Sequence, residues 1–207
     1  MKQRQIILIG GAPTTGKSTI AQKLSKELGL PYISTDQIRT VMQAVARKED
    51  YPGLFNSHGY DAERFLTELN PEQIVHMEFE QGAETWLGVK ALMSNCGYEW
   101  RHGFIIEGVG IVPETVHNDC KDDPNVTALF LVDHDDMRMR DALFTRGLWD
   151  AAHKYGDHLK EKEMVWARLY AKKLEEEAQK YGYPFIEVHK NDDDLQRVLD
   201  IIARRKT

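Results

Sequence analysis

A three-layer α/β fold, with a five-stranded parallel sheet covered by helices on both faces, is the architecture that this 207-residue sequence predicts. Two observations carry the prediction. Five short apolar runs recur along the chain, and segments of helical period separate them. The clearest runs, IILI at 6–9 and ALFLV at 128–132, are continuously apolar, as strands buried on both faces must be.

The elements follow in order. Residues 6–9 form a first buried strand, and residues 18–28 a helix with Ile20, Leu24 and Leu28 on one face and Gly29 as its stop. Residues 32–34 form a second strand. A helix over 34–47 then carries Ile38, Val41, Met42 and Val45 inward, and STDQ at 34–37 has the pattern of a capping box. Residues 48–59 are a turn-rich break and residues 62–69 a short helix. A longer helix begins at Asn70-Pro71, proline suiting the first helical position, and runs to about Asn95. The third strand is FII at 104–106, and residues 113–117 begin a short helix or turn. After the fourth strand, 127–132, comes a charged, arginine-bearing segment, 133–147. A long amphipathic helix over 157–181 turns Met164, Tyr170, Leu174 and Ala178 inward and ends at Gly182. The fifth strand is 185–188, and a last helix covers 192–205.

Composition excludes several function classes. With 42% hydrophobic and 29% charged residues, the chain is an ordinary water-soluble one, and no apolar run approaches the roughly 20 residues that span a bilayer. The net charge of −6 opposes non-specific binding to a phosphate backbone, so no nucleic-acid partner is expected. The first residues, 1–5, are expected to lead straight into the first strand rather than to form a leader. Cys96 and Cys120 lack metal-ligand spacing and are expected as free thiols in a reducing, cytoplasmic setting. His76 and Glu80 lie four apart on a helix, but HMEFE is not a zinc-binding pattern.

Ligands of such sheets bind at the carboxyl ends of the strands, so the residues just after each strand carry the chemistry. After the first come Gly11, Ala12, Pro13, Thr14, Thr15, Gly16, Lys17, Ser18 and Thr19, which fit G-x-x-x-x-G-K-[ST] between a strand and a helix. Glycines let successive N–H groups point at one anion, and the helix adds its positive end. Lys17 neutralises β- and γ-phosphate charge there, and Ser18 ligates Mg²⁺. After the second strand, Asp36 and Arg39 share one face of a helix start: Asp36 to accept the proton of an acceptor hydroxyl or to orient that hydroxyl, Arg39 to bind an anionic group. After the third, Glu107 is placed to hold the Mg²⁺ water shell or position the nucleophile, and Gly108 and Gly110 leave room for a ligand near the backbone. After the fourth, Arg138, Arg140 and Arg146 suit a lid closing over phosphates, with Arg140 and Arg146 the favoured pair. After the fifth, His189-Lys190-Asn191 either flanks an adenine or is a plain turn.

Three motifs in order, IGGAPTTGKST, ISTDQIR and IIEGVGIVP, resemble those of the P-loop small-molecule kinases, specifically the 2-phosphoglycerate kinase-like group. The resemblance implies a P-loop NTPase fold with sheet order 2-3-1-4-5, ATP with Mg²⁺, and an acceptor held between the core and inserted helices. It makes residues 1–207 one kinase domain, with 48–100 as a helical acceptor-binding insertion and 135–160 as the lid region. Asp36-x-x-Arg39 also resembles, more distantly, the acceptor pair of polynucleotide 5′-kinases and antibiotic-modifying phosphotransferases.

The leading expectation is an ATP-dependent kinase for a small, anionic hydroxylated metabolite, working as a monomer or homodimer. Residues 51–60 and the helix after Pro71 are expected to line its acceptor pocket. A nucleoside, nucleotide, antibiotic or nucleic-acid end is the alternative acceptor. A nucleotide-dependent switch is the alternative from another class, although the N-K-x-D guanine motif of GTPase switches is absent.

Overall fold

The computed structural model of the chain describes residues 4–94, 100–189, 191 and 193–205. The expected end of the long helix at Asn95, together with Cys96 and Lys190, lies outside the described residues.

Strands β1 (Gln5–Gly11), β2 (Tyr32–Ser34), β3 (Gly103–Glu107), β4 (Val126–Val132) and β5 (Phe185–Glu187) form one parallel sheet in the order β2-β3-β1-β4-β5. Alternate residues supply its two faces, as the two-residue period of a strand requires. Ile6, Leu8, Phe104, Ile106 and Phe130 pack into one core with Trp86, Trp166 and Tyr170. Ile7, Ile9, Ile105, Leu129 and Leu131 pack into the other with Ile20, Leu24, Val198 and Ile202. The first core is covered by α4 (Pro71–Ser94), α5 (Pro113–Cys120) and α7 (Asp157–Tyr181), the second by α1 (Lys17–Leu28) and α8 (Asp193–Arg204). The three-layer sandwich and the strand order are those anticipated.

Several elements exceed their expected bounds. The charged segment after β4 is helix α6 (Asp136–Arg146), started by Asp135, whose carboxylate accepts from the N–H groups of Met137 and Arg138. The turn-rich break holds one 3₁₀ turn, Pro52–Phe55, ahead of α3 (Ala62–Glu68). Helix α2 (Thr35–Val45) opens with the expected capping box, Ser34 and Gln37 each answering the other's backbone N–H.

The inward face of α2 is narrower than expected. Ile38 is buried, but Val41 is 67% and Val45 83% exposed. The helix follows a three-residue edge strand, and Gly88 of α4 approaches it at Ile38 and Met42. Only the stripe facing α4 is covered.

A second difference lies after β3. Gly108 has φ +148°, and a Cβ there would stand 1.9 Å from Thr35 Oγ1, which also accepts the Gly110 N–H at 3.3 Å. The space where their side chains would stand is filled by the first residue of α2, while Gly108 itself lines the cavity at the carboxyl ends of the strands. Their absent side chains let α2 dock and thereby set the position of Asp36. Gly108→Ala is expected to cost about 3 kcal/mol, from backbone strain plus the clash. Denaturant midpoints check this, and a loss below about 1 kcal/mol would contradict the docking argument.

Candidate active site

Parallel register brings Ser34, Ile9 and Glu107 level at the carboxyl ends of β2, β1 and β3. Above them opens a cavity of about 720 Å³, into which residues 13–19 face. Gly16 turns the chain into α1 with φ +82°, and Thr14 holds a left-handed φ of +66° that non-glycine residues seldom adopt. The Thr14 hydroxyl oxygen is shut off from solvent and has no hydrogen-bond partner among the described residues. A buried hydroxyl left so is costly, and an anion seated in the loop would answer it. Gly11 and Ala12 form the loop's floor, where the Ala12 carbonyl accepts from Thr15 Oγ1 at 2.8 Å and Lys17 Nζ at 2.7 Å.

Lys17 is 8% exposed. Burial pulls its ammonium down to about 8, against the opposing pull of Glu107 and Asp36. Glu107 is 4% exposed and accepts from Ser18 Oγ at 3.0 Å. Burial raises its pKa, while Lys17 and the Ser18 hydroxyl act the other way. A hydroxyl and a carboxylate converging beside an anion-binding loop are a hard oxygen donor pair of the kind Mg²⁺ takes when phosphates and water complete its shell. No cluster of three or more His, Cys, Asp or Glu suited to a metal occurs among the described residues, and His76 and Glu80 are an exposed pair at 3.2 Å.

Opposite the loop stand Asp36 and Arg39. They form an ion pair at 3.1 Å, and Arg39 also donates to the buried Gln81 of α4. Arg39 is thus held from two elements with its guanidinium on the cavity wall, while Asp36 projects into solvent at its rim. A fixed planar cation beside a hydroxyl-orienting carboxylate suits an anionic, hydroxylated ligand.

No protein-family model matches the chain. The curated protein "2-phosphoglycerate kinase" of Methanothermobacter thermautotrophicus is 32% identical over 214 residues, covering 100% of this chain and 66% of the relative. Its namesake in Methanocaldococcus jannaschii is 30% identical over 202 residues, covering 97% of this chain and 63% of the relative. The chain therefore spans a little under two thirds of the length of these relatives. Among solved structures, a shikimate kinase from Acinetobacter baumannii matches with a TM-score of 0.57 at 14% identity, over 99% of this chain and 96% of that one. A gluconokinase from Sinorhizobium meliloti matches with a TM-score of 0.53 at 14% identity, over 99% of this chain and 94% of that one. The fold is that of the P-loop NTPases, which these two structures share. The sequence resemblance to the 2-phosphoglycerate kinase-like group holds across the whole chain.

Within this P-loop fold, the anticipated residues Lys17, Ser18, Asp36, Arg39, Glu107 and Arg146 meet at one cavity. Arg140 does not join them. Its guanidinium lies 4.0 Å over the Phe144 ring and pairs with Glu161, because its place on α6 faces α7 and solvent. Arg138 is occupied by Asp133 at 2.8 Å, Asp135 at 2.9 Å and the Val188 carbonyl at 2.9 Å, and so ties β4 to the end of β5. Arg146, at the end of α6, pairs with Asp150 at 2.9 Å across a segment where Trp149 and Asp150 hold left-handed backbone, φ +53° and +58°. Asn191 reaches the cavity wall near α8.

Four acidic wall residues, Glu78, Asp141, Glu163 and Asp194, belong to none of the sequence motifs. Glu163 of α7 accepts from the Tyr155 hydroxyl at 2.7 Å, and that hydroxyl accepts from the Leu148 N–H at 2.5 Å. Glu78 of α4 is, among the described residues, the one side chain from 48–100 on the wall, and residues 51–60 do not reach it. A signal for Glu78 existed. It lies three and four positions from Val75, Ile74, Gln81 and Gly82, which form the buried stripe of its helix.

Proposed function

We propose that the protein is an ATP-dependent kinase that transfers the γ-phosphoryl group to a hydroxyl of a small anionic metabolite of the 2-phosphoglycerate type. One observation carries the reading: the phosphate loop with Lys17 and the Ser18–Glu107 pair opens into the same cavity as the Asp36–Arg39 pair. Kinship with the 2-phosphoglycerate kinases supports the class of acceptor.

In this reading the loop amides, the Thr14 hydroxyl and Lys17 hold the triphosphate. Ser18 and Glu107 would hold Mg²⁺, which would supply charge neutralisation on the phosphates. Arg39 grips the acceptor's anionic group, and Asp36 steadies Arg39 and orients the acceptor hydroxyl. Residues 48–100 act as the acceptor-binding insertion, and 135–160 as a lid that brings Arg146 onto the transferring group and excludes water. Catalysis is positioning plus electrostatics.

The test is ADP release from ATP and Mg²⁺ against a panel of 2-phosphoglycerate, other phosphorylated or carboxylated hydroxy acids, sugars, nucleosides and aminoglycosides. One acidic acceptor is expected to stimulate the rate strongly. Asp36→Ala is then expected to lower kcat about 100-fold with KM for ATP within about threefold. A flat slow rate across the panel would overturn the kinase reading, and equal loss of ATP binding and turnover would overturn the role of Asp36.

A further inference from the structure

Glu78 stands on the stripe of α4 that otherwise buries Ile74, Val75, Gln81 and Gly82. Glu78 itself is half-buried and lines the cavity, so its carboxylate is open to what the cavity holds. Among the described residues it takes no hydrogen bond and no ion pair. The charged and titratable groups facing it come from three elements. The charges of Asp36 and Arg39 act on it from α2 and that of Lys17 from the start of α1, and Tyr170 of α7 lies within its field. None of them donates to it. Arg39 is committed to Asp36 and Gln81, Lys17 Nζ to the Ala12 carbonyl, and the Tyr170 hydroxyl to the Val109 carbonyl at 2.8 Å.

Two other carboxylates of the cavity wall are engaged, Glu107 with Ser18 and Asp36 with Arg39. Among the described residues, Glu78 combines a place on the cavity wall, a carboxylate with no protein donor, and exposure to the charges of both Lys17 and Arg39. A ligand whose phosphoryl donor lies on Lys17 and whose anionic group lies on Arg39 would set its hydroxyl between them, before Glu78.

We propose that Glu78 is the proton acceptor of the transfer, receiving the hydrogen bond of the acceptor hydroxyl from the wall opposite the phosphate loop. The inference rests on the kinase reading and refines it, leaving Asp36 as an orienting group. In the step, the acceptor oxygen forms its bond to the γ-phosphorus. The bond from that phosphorus to the β–γ bridging oxygen breaks, and its electron pair leaves with ADP. The hydroxyl proton passes to a Glu78 carboxylate oxygen and then to water at the cavity mouth. Burial pushes the Glu78 carboxyl up to about 7, with Arg39 and Lys17 pulling down and Asp36 pushing up. A base near the working pH combines availability with driving force. Because the active form is the ionised one, the rate falls as pH drops below that value.

The test measures kcat from about pH 5.5 to about pH 9 with ATP, Mg²⁺ and 2-phosphoglycerate, or the best acceptor of the panel, for wild type, Glu78→Gln, Glu78→Asp and Asp36→Asn. Wild type is expected to lose rate about tenfold per pH unit on the acid side. Glu78→Gln is expected to lower kcat about 100-fold, to lose the acid limb, and to keep KM for ATP within about threefold. Glu78→Asp is expected to keep the limb at reduced rate, which a packing role would not produce. Asp36→Asn is expected to keep the limb as well. An acid limb that survives in Glu78→Gln, or disappears in Asp36→Asn, overturns the assignment. So does a Glu78→Gln effect confined to acceptor KM. A wild type that no acceptor stimulates overturns the kinase reading and this inference together. Failure of the variants in an active enzyme overturns the inference alone.

Discussion

Lys17→Ala is expected to lower kcat/KM for ATP about 1,000-fold with every acceptor, the upper range for removing one preorganised charge donor from a developing anion. The size follows from where the ammonium sits. Nearly all of the side chain is removed from water, its Nζ is held 2.7 Å from the Ala12 carbonyl, and it lies within the field of Glu107 and Asp36. Its charge therefore acts through protein rather than solvent, where each interaction is several times stronger. The carbonyl contact also holds the amine inside the loop, where a bound phosphate oxygen would take over as its partner. Removal has a second effect, since the buried Glu107 loses the cation that opposes its desolvation. Initial rates over a range of ATP concentrations check the prediction, with a thermal midpoint to show that the variant is folded. A rate within about threefold of wild type would refute the phosphate-loop assignment.

Strands and phosphate loop were legible in the sequence because their signals are local. Continuous apolar runs mark strands buried on both faces, and the glycine–lysine–serine spacing carries its own geometry. The strand-end residues Asp36, Arg39 and Glu107 were legible because parallel strands end on one side, and the register sets Ser34 level with Glu107. What escaped depends on partners distant in sequence. Val41 and Val45 have the right period for an inward face, but helical period does not reveal how much of a stripe a single neighbouring helix can cover. Gly108 lines the cavity as read, but the side-chain space at Gly108 and Gly110 is taken by Thr35, some 75 positions away from Gly110. Arg140 and Arg146 stand in one charged run, and only the packing of α6 on α7 separates them, turning one toward Glu161 and the other to the cavity. Glu78 belongs to no motif, and only the folded chain brings it into the same cavity as the phosphate loop.

Glu107→Gln is expected to lower kcat about 1,000-fold, Ser18→Ala about 100-fold, and the double variant little more than Glu107→Gln alone. Non-additivity is the informative part. The two side chains touch at 3.0 Å and approach from different elements, the start of α1 and the end of β3. If both serve one Mg²⁺, removing either spoils the same interaction, and the second substitution finds little left to remove. If the hydroxyl only satisfies the buried carboxylate, Ser18→Ala should instead cost stability and leave kcat nearly intact. Rate measured against Mg²⁺ concentration separates the two cases. Shared ligation predicts that each single variant needs about tenfold or more Mg²⁺ for half-maximal rate, because a hard cation loses one of its few protein oxygens. An unchanged Mg²⁺ requirement with multiplying effects on kcat would assign the pair to packing at the strand end, and would move the cation to other oxygens of the cavity.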